Sequence, residues 1–433
     1  MGAGEIILSR TGKQTEYINK KSEITLFKTG YKRHTNFCKE FIKYSIPSAS
    51  WGKTCEINFS CSQNADKNSN ILNCDLLSKL VLEIAVPSIS VSGPVSVLKW
   101  TNNLGHAIIK DIELYIGETL VDKQNGEFLE IASQLNLKDG KYTAYSNLIG
   151  NNTLSSTDNS DSIKSQLLYI PLNFWFCKDL GVSLPIVAMQ QETIKIKITF
   201  RAFKELHHTA HASNVITGSD IVNASLIATT YYVDNDEKRL FAEQGHKYLI
   251  TQVQTNSFNL PNENIKLDIH NNIKELYWIG QRKITADSTY RLYLNSFYDY
   301  NNHFNYVSSP SYNDGYNMFE SFRIIVDNNY YVSEKESSFF NMYIPFKYYN
   351  KCPNNGIYVY SFSEKPNMIQ PSGYLPVSNI RNLLLKVKTN NATTDDIVLR
   401  VYAITYNILY INEDNKGQVR LAYSYPQVSG TNY

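Results

Sequence analysis

A single helix-like segment interrupts a sequence that otherwise alternates between apolar and polar residues. Asp234 can cap this helix, Glu237 and Lys238 are good helix formers, and Gly245 is placed to follow its last turn. The preceding segment, SLIATTYYV, is rich in β-branched and aromatic residues, and residues 249–254 alternate with the period of a strand. We therefore expect a β-domain on each side of a short linker helix.

The order of strand-like segments in the first half repeats in the second. Three segments open each half, at 41–45, 55–60 and 80–84 and at 249–254, 265–270 and 273–280. Later, DIELYIGETLVD corresponds to SFRIIVDNNYYV, and we match FWFCKDLG with GIYVYSFSEKP and IKIKIT with LLLKVK. An internal duplication with about eight strands per half predicts an all-β chain of two tandem eight-stranded jelly-roll β-sandwiches, a double jelly roll.

The remaining stretches complete the predicted organisation. Residues 23–28 and 167–176 have strand character, whereas residues 138–165 and 207–223 are polar and are predicted to be long loops. The expected domains are an amino-terminal arm (1–30), a first jelly roll (31–233), a linker helix (234–247) and a second jelly roll (248–433).

Composition narrows the function classes. Aromatic residues make up 13% of the chain, with 32 Tyr and 19 Phe, which suits half-buried pleated surfaces. The formal charge of +2 argues against a protein that coats nucleic acid, because such proteins neutralise many phosphates. Six scattered cysteines without a CxxC pair indicate free thiols in a reducing compartment. With no visible signal peptide or apolar span, we expect synthesis in a cytosol.

Several residue clusters invite a chemical interpretation, and each has a simpler alternative. His207, His208 and His211 are a possible zinc cluster, but no carboxylate or cysteine stands at ligand spacing. The pairs Asp158 with Asp161 and Asp395 with Asp396 are more typical of solvated loops than of an acid and base pair. No catalytic residue, metal ligand or cofactor is therefore predicted, and the chain is interpreted as a non-enzyme.

Two further sets bear on surface recognition. The four tryptophans can stack sugars or pack in cores, and core packing is favoured for those within strands; they are Trp51, Trp100, Trp175 and Trp278. Four N-x-S/T sequons are candidate glycosylation sites, although chance supplies them readily in an Asn-rich chain; they begin at Asn58, Asn151, Asn223 and Asn391.

Four passages carry a resemblance to a known family. They are GKQTEYINKKSEITLFKTGYKRHTNF (12–37), the hinge and following strand (233–254), KELYW (274–278) and PNMIQPSG (366–373). Together they resemble the double jelly-roll major capsid proteins of large nucleocytoplasmic DNA viruses, of the phycodnavirus and iridovirus type. The family-motif residues are Tyr31, Arg33, Thr35, Asn36, Phe37, Tyr248, Gln252, Gln254, Lys274, Glu275, Trp278, Pro371 and Gly373.

The resemblance implies a structural virion protein. It implies a homotrimeric, pseudo-hexagonal capsomer that tiles an icosahedral capsid, with lateral capsomer contacts. The arm is then expected to meet minor capsid proteins or an inner viral membrane, without direct contact to nucleic acid. Residues 138–165, 207–223 and 298–317 match no family motif, and in the family such loops form outward towers. A carbohydrate-binding or carbohydrate-cleaving β-sandwich and a minor capsid paralogue are the alternatives.

Overall fold

The computed structural model describes residues 2–61, 70–92, 98–151, 162–209, 215–260, 263–282, 303–304, 306, 317–354, 356–390, 397–412 and 418–426. The chain divides into two compact units, Met1–Asn36 and Phe37–Tyr433. Within the described ranges, no helix combines the length and the apolar character needed to cross a bilayer.

The amino-terminal unit holds two short helices, α1 (Ala3–Ser9) and α2 (Lys13–Asn19). All of its described residues except Thr15 are exposed. The strand expected at residues 23–28 is wrong, because the segment holds a turn and a bend and has no strand. Its apolar side chains stay in solvent, with Leu26 89% and Phe27 98% exposed, so the alternation has no sheet to pack against.

The strands before the linker helix pair among themselves. They are β1 Phe37–Ser45, β2 Thr54–Ser60, β3 Asn70–Ile71, β4 Leu76–Val86, β5 Ile89–Ser92, β6 Leu98–Trp100, β7 Ile109–Ile116, β8 Thr119–Gln124, β9 Ser162–Ile163, β10 Gln166–Pro171, β11 Leu184–Pro185, β12 Thr193–Phe200, β13 His207–Thr209, β14 Val215–Gly218 and β15 Asn223–Val233. Two principal sheets result, ordered β1-β15-β4-β10 and β3-β2-β12-β7-β8. Leu82 and Leu226 from the first sheet and Leu114 from the second are fully buried in one core.

The strands after the linker helix form a second pair of sheets. They are β16 His246–Asn259, β17 Asn264–Lys266, β18 Asn272–Arg282, β19 Phe319–Val326, β20 Asn329–Glu336, β21 Ile357–Ser361, β22 Leu383–Thr389, β23 Ile397–Ile411 and β24 Val419–Leu421. The sheets are ordered β16-β23-β18-β21 and β17-β22-β19-β20. Trp278, Phe322 and Tyr358 are among the largest side chains of the core between them.

The two halves have the same strand order. β16, β23, β18 and β21 occupy the places of β1, β15, β4 and β10, and β17, β22, β19 and β20 those of β2, β12, β7 and β8. This correspondence is the jelly-roll arrangement repeated, so the predicted double jelly roll is confirmed. β21 corresponds to β10, so the proposed match with FWFCKDLG is wrong: the strand ends at Pro171 and Trp175 lies in a 3-10 turn, Trp175–Cys177. Proline has no N–H to continue the ladder.

Helices occur mainly in the connections. They are α3 Leu104–Ile108, α4 Gly126–Asn136, α5 Asp139–Leu148, α6 Asn235–Glu243, a π-helical turn at Phe339–Tyr343 and α7 Ile344–Tyr348. α6 is the expected linker helix, and its cap is as predicted, since Oδ1 of Asp234 accepts from the backbone N–H of Glu237 at 2.9 Å.

Both long loops predicted in the first half contain regular structure. α5 lies within residues 138–165, where Tyr145 OH bonds the buried His106 ring at 2.8 Å and anchors the helix to the fold. β13 and β14 lie within residues 207–223 and pair with β6 and β5. These elements depend on contacts with distant parts of the chain. The polar composition of the segments gives no information on such contacts, so the segments were predicted to be loops.

Candidate functional site

The junction of the two jelly rolls is built around α4. The side chain of Asn125 caps this helix by accepting from Phe128 N–H at 2.8 Å, and residues 126–135 are all buried. Phe128 stacks on Tyr277 of β18, with ring centroids 6.5 Å apart and an interplanar angle of 17°, and packs on Tyr402 of β23 at 6.1 Å. A helix of the first jelly roll therefore packs on a sheet face of the second.

A buried ion pair crosses the same junction. Nη1 of Arg400 on β23 donates to both carboxylate oxygens of Glu127 on α4, at 2.8 and 2.9 Å, and to Oε1 of Gln281 at 2.7 Å. Tyr402 OH donates to Glu127 Oε2 at 2.8 Å. The Glu127 and Arg400 side chains are 6% and 10% exposed. Each charge therefore has a partner and further hydrogen bonds, so neither is left uncompensated in the buried junction.

β8 and β16 make a second crossing. Oδ1 of the buried Asp122 accepts from Val253 N–H at 3.0 Å, and Oδ2 accepts from Gln124 Nε2 at 2.7 Å. Burial raises the pKa of Asp122 to about 6, although these hydrogen bonds oppose the shift. The predicted motif residue Gln252 donates to Val121 O and accepts from Asn407 Nδ2 at 2.9 Å. Gln252 thus ties a strand of the first jelly roll to two strands of the second.

A third hydrogen-bond network is centred on Glu130 of α4. Glu130 accepts from Asn103 Nδ2 at 2.9 Å and from Gln134 Nε2 at 2.7 Å, and its other oxygen lies 2.6 Å from Nδ1 of His106. Gln134 Oε1 in turn accepts from Asn354 N–H of the second jelly roll at 2.9 Å. Burial, with the charge of Glu130, raises the pKa of Tyr145. The hydrogen-bond network around Glu130 is therefore linked to the second jelly roll.

Two of the sequence motifs meet beside the junction. Lys274 Nζ donates to Pro366 O, which begins the PNMIQPSG turn, and lies 3.3 Å from Glu275 Oε1. Glu275 Oε2 accepts from Tyr277 OH at 2.5 Å and Tyr349 OH at 2.6 Å. Both charged residues are buried and engaged in these contacts. The KELYW and PNMIQPSG motifs therefore act together as structural supports.

The PNMIQPSG turn depends on its glycine. Gly373 has φ +140°, and a Cβ there would lie 2.5 Å from Phe362 O. Pro371 precedes Ser372, whose Oγ accepts from Lys365 N–H at 2.8 Å. Trp278 of the KELYW strand is fully buried among Phe322, Phe340 and Tyr358.

The other motif residues lie apart from these. Gln254 on β16 is buried, donates to His270 O at 2.6 Å and accepts from His270 N–H at 2.9 Å. Burial raises the pKa of Tyr248, on the same strand, to about 12. Tyr31, Arg33, Thr35 and Asn36 are exposed in the amino-terminal unit, and Phe37 starts β1, 49% exposed. The structure does not bring the whole motif set into one site.

Most tryptophans belong to cores. Trp100, Trp175 and Trp278 are at most 4% exposed, whereas Trp51 is half-buried against Trp100 and Phe203. Core packing, which the sequence favoured over sugar stacking, is therefore observed for these three. Their burial also weakens the carbohydrate-binding alternative.

The polar candidate sites are dispersed. His207 packs on Phe203 with ring centroids 4.6 Å apart, and burial lowers its pKa to about 4. His211 and the pairs Asp158 with Asp161 and Asp395 with Asp396 lie outside the described residues. In the part of the chain that the structure describes, no three His, Cys, Asp or Glu side chains come together as metal ligands would.

The sequons also lie apart from one another. Asn58 is exposed on β2, Asn223 is exposed at the start of β15, and Asn151 is half-buried after α5. Asn391 lies outside the described residues, as does most of the 298–317 segment. Asn58, Asn151 and Asn223 remain candidate glycosylation sites by sequence.

Sequence reasoning missed the residues that hold the junction, Asp122, Glu127 and Arg400. Glu127 and Arg400 are separated by 273 positions, so no local spacing links them. One signal was present, because Arg400 interrupts the otherwise apolar segment IVLRVYAITY. A charge inside a buried strand needs a partner, which that pattern cannot identify.

Two sandwiches of identical strand order, locked by a buried junction, define a double jelly-roll protein. Two family models match adjacent parts of the chain, the major capsid protein N-terminus over residues 25–235 and the large eukaryotic DNA virus major capsid protein over residues 237–417. The chain belongs to the family of major capsid proteins of large eukaryotic DNA viruses.

Individual relatives agree with this assignment over nearly the full length. The major capsid protein of Pyramimonas orientalis virus is 29% identical, with 98% of this chain and 100% of the relative covered. The PBCV-1 virus capsid structure is 22% identical with a TM-score of 0.74, covering 93% of this chain and 100% of that one. The Faustovirus major capsid protein has the same TM-score at 12% identity, covering 89% and 92%. The last two similarities establish the fold.

Proposed function

We propose that this chain builds the shell of an icosahedral virion as a homotrimer. The observation that carries the proposal is the internal repeat: one chain supplies two sandwiches of the same strand order, held by the Glu127–Arg400 junction. Three chains around a closed threefold axis then supply six similar blocks, a pseudo-hexagonal capsomer. Such capsomers tile a facet with a single protein and lateral contacts between copies.

The chain has a structural role in the virion capsid, and its work is self-association rather than catalysis. The charged groups at the junction support this, because Lys274, Glu275, Glu127 and Arg400 all engage one another or neighbouring side chains and backbone. No cofactor is needed for such a role. The formal charge of +2 supports a shell that does not bind nucleic acid directly.

The amino-terminal segment is proposed to contact minor capsid proteins or an inner viral membrane. Its side chains are almost all exposed, and it carries the basic cluster Lys28, Lys32, Arg33 and His34. Exposed basic residues suit acidic protein surfaces or lipid head groups. We keep residues 1–30 as the arm, 31–233 and 248–433 as the jelly rolls and 234–247 as the linker.

The solution mass of the purified chain tests the trimer. Light scattering should give three times 49.6 kDa, about 149 kDa, and images of the same peak should show hexagonal outlines. A chain that stays at 49.6 kDa at every concentration contradicts the proposal.

Two further measurements separate the alternatives. Saturable binding on a glycan array, or turnover in a glycoside hydrolase screen, would contradict a purely structural role and favour a carbohydrate-active sandwich. Counting copies in purified particles distinguishes the dominant shell protein from a minor capsid paralogue, which would be present at a small fraction of the shell copy number.

A further inference from the structure

The two jelly rolls have equivalent connecting helices, but one helix is buried and the other is exposed. In the first, α4 follows β8, and in the second, the π-helical turn and α7 follow β20, the counterpart of β8. α4 is buried from residue 126 to 135. By contrast, Met342 is 53%, Tyr343 51% and Phe346 80% exposed on the second segment. We call these three residues the helix patch.

The helix patch borders an open groove of about 900 Å³. The groove is also lined by Phe339, Pro353 and Cys352, and the thiol of Cys352 lies 3.7 Å from Met342 O. Large apolar side chains exposed side by side are uncommon on a soluble surface and mark interaction sites.

The sheets that receive such helices show the same contrast. The outer face of β16-β23-β18-β21 lies under α4 and its neighbours, so Tyr402 is 0%, Val253 4% and Ile404 5% exposed. The counterpart face of β1-β15-β4-β10 is exposed along its edge strand β1, where Phe37 is 49% and Phe41 64% exposed. We call these two residues the sheet patch.

Strand register places the sheet patch on one face. Phe37 lies opposite Val233 and Phe41 lies opposite Thr229, without a register shift between them, so the two rings are on the same side of β1 and β15. Ile227, two residues from Thr229, pairs with Val81 of β4. The inward-facing Leu82 and Leu226 are fully buried, so the sheet patch faces away from the core.

We propose that the helix patch of one subunit docks on the sheet patch of the next subunit in the trimer. The contact repeats between chains what α4 and the β16-β23-β18-β21 face do within one chain. The helix patch lies on the second jelly roll and the sheet patch lies on the first. The contact between two copies is therefore head-to-tail, and in the proposed trimer three such contacts close a ring. This inference rests on the proposed homotrimer and identifies its interface.

The reactivity of a native cysteine that lies outside both patches tests the interface. Cys352 is exposed in the single chain and lines the groove. In the isolated trimer, Cys352 should react with a maleimide at least about tenfold more slowly than in the monomeric F346D variant, because only rare opening uncovers it. The variant M368C is the control, since Met368 is 58% exposed and outside both patches, and its thiol should react rapidly in the trimer.

Subunit mixing tests the polarity of the contact. F346D, M342D and F41D should each remain at 49.6 kDa, whereas M368D, the control for M342D, should still form the trimer. Mixing F346D with F41D should give a 1:1 complex of twice 49.6 kDa, about 99 kDa, because one intact helix patch meets one intact sheet patch. Circular dichroism should show that all variants are folded, since the substituted side chains are exposed.

The outcomes separate the two proposals. A wild-type chain that is monomeric at all concentrations contradicts the trimer and this interface together. A trimer whose Cys352 reacts as fast as in monomeric F346D, or variants F346D and F41D that still form trimers, contradicts the interface and leaves the trimer standing. Failure of the two monomeric variants to combine contradicts the head-to-tail pairing.

Discussion

Glu127 and Arg400 meet across the junction of the two jelly rolls, with Nη1 of the arginine 2.8 and 2.9 Å from the two carboxylate oxygens. E127A leaves the arginine buried without its partner, and we expect a loss of about 3–5 kcal/mol in the free energy of unfolding. Chemical denaturation measures this loss. The control is E320A, because Glu320 pairs with Lys388 where both side chains are about half exposed. That variant should lose at most about 1 kcal/mol, and equal losses in the two variants would contradict a structural role for the buried pair.

Asp122 should give the protein a pH-dependent stability of defined sign. Its pKa is raised by burial to about 6, so between the unfolded value of 3.8 and 6 the folded state binds more protons than the unfolded state. Protonation of Asp122 therefore contributes on the order of 3 kcal/mol to the free energy of unfolding. This contribution is complete below pH 3.8 and is lost as pH rises through 6. Relative to D122N, the wild type should therefore lose free energy of unfolding as pH rises from 4 to 7. A difference that does not change with pH would contradict this assignment.

A side chain at position 373 should destabilise the protein. Because the φ of Gly373 is +140° and a Cβ would lie 2.5 Å from Phe362 O, G373A should lower stability by about 1–3 kcal/mol. G140A is the matched control, since Gly140 lies in α5 with open space around it, and should be neutral or stabilising by up to about 1 kcal/mol. Thermal unfolding of both variants measures the contrast. Similar melting temperatures for both would show that the turn can rearrange.

Truncation of Trp278 in the second jelly roll should cost more stability than truncation of Trp51 in the first. Trp278 is fully buried against Phe322, Phe340 and Tyr358, so W278A should lose about 3–5 kcal/mol. W51A should lose less, because Trp51 is only half-buried. Urea denaturation compares the two, and a W278A loss no larger than that of W51A would contradict the core assignment.

Removal of residues 1–36 should leave every strand of the jelly rolls intact, because β1 begins at Phe37. This segment forms a separate compact unit with almost every described side chain exposed, so its deletion should leave the melting temperature of the remainder within about 2 °C. The truncated chain should still form trimers but should lose binding to minor capsid proteins or to acidic vesicles. Unfolding or loss of the trimer on truncation would show that the segment is part of the assembly itself.

Local patterns predicted the strands, but not the contacts between distant elements. The alternation in DIELYI and LLLKVK places one face in a core, and the repeated order of such segments is enough to predict two similar sandwiches. The junction depends on Glu127 meeting Arg400, a pairing that only the folded chain creates. α5 was missed for a related reason, because it is held by Tyr145 bonding to His106 rather than by an apolar stripe of its own.

Single-particle cryo-electron microscopy of the purified assembly tests the central claim most directly. The account predicts a threefold particle with six sandwiches in a ring, in which α7 of each chain packs against the β1-β15-β4-β10 sheet of the next. A twofold dimer, or a threefold particle in which Phe346 and Phe41 both face solvent, would contradict it.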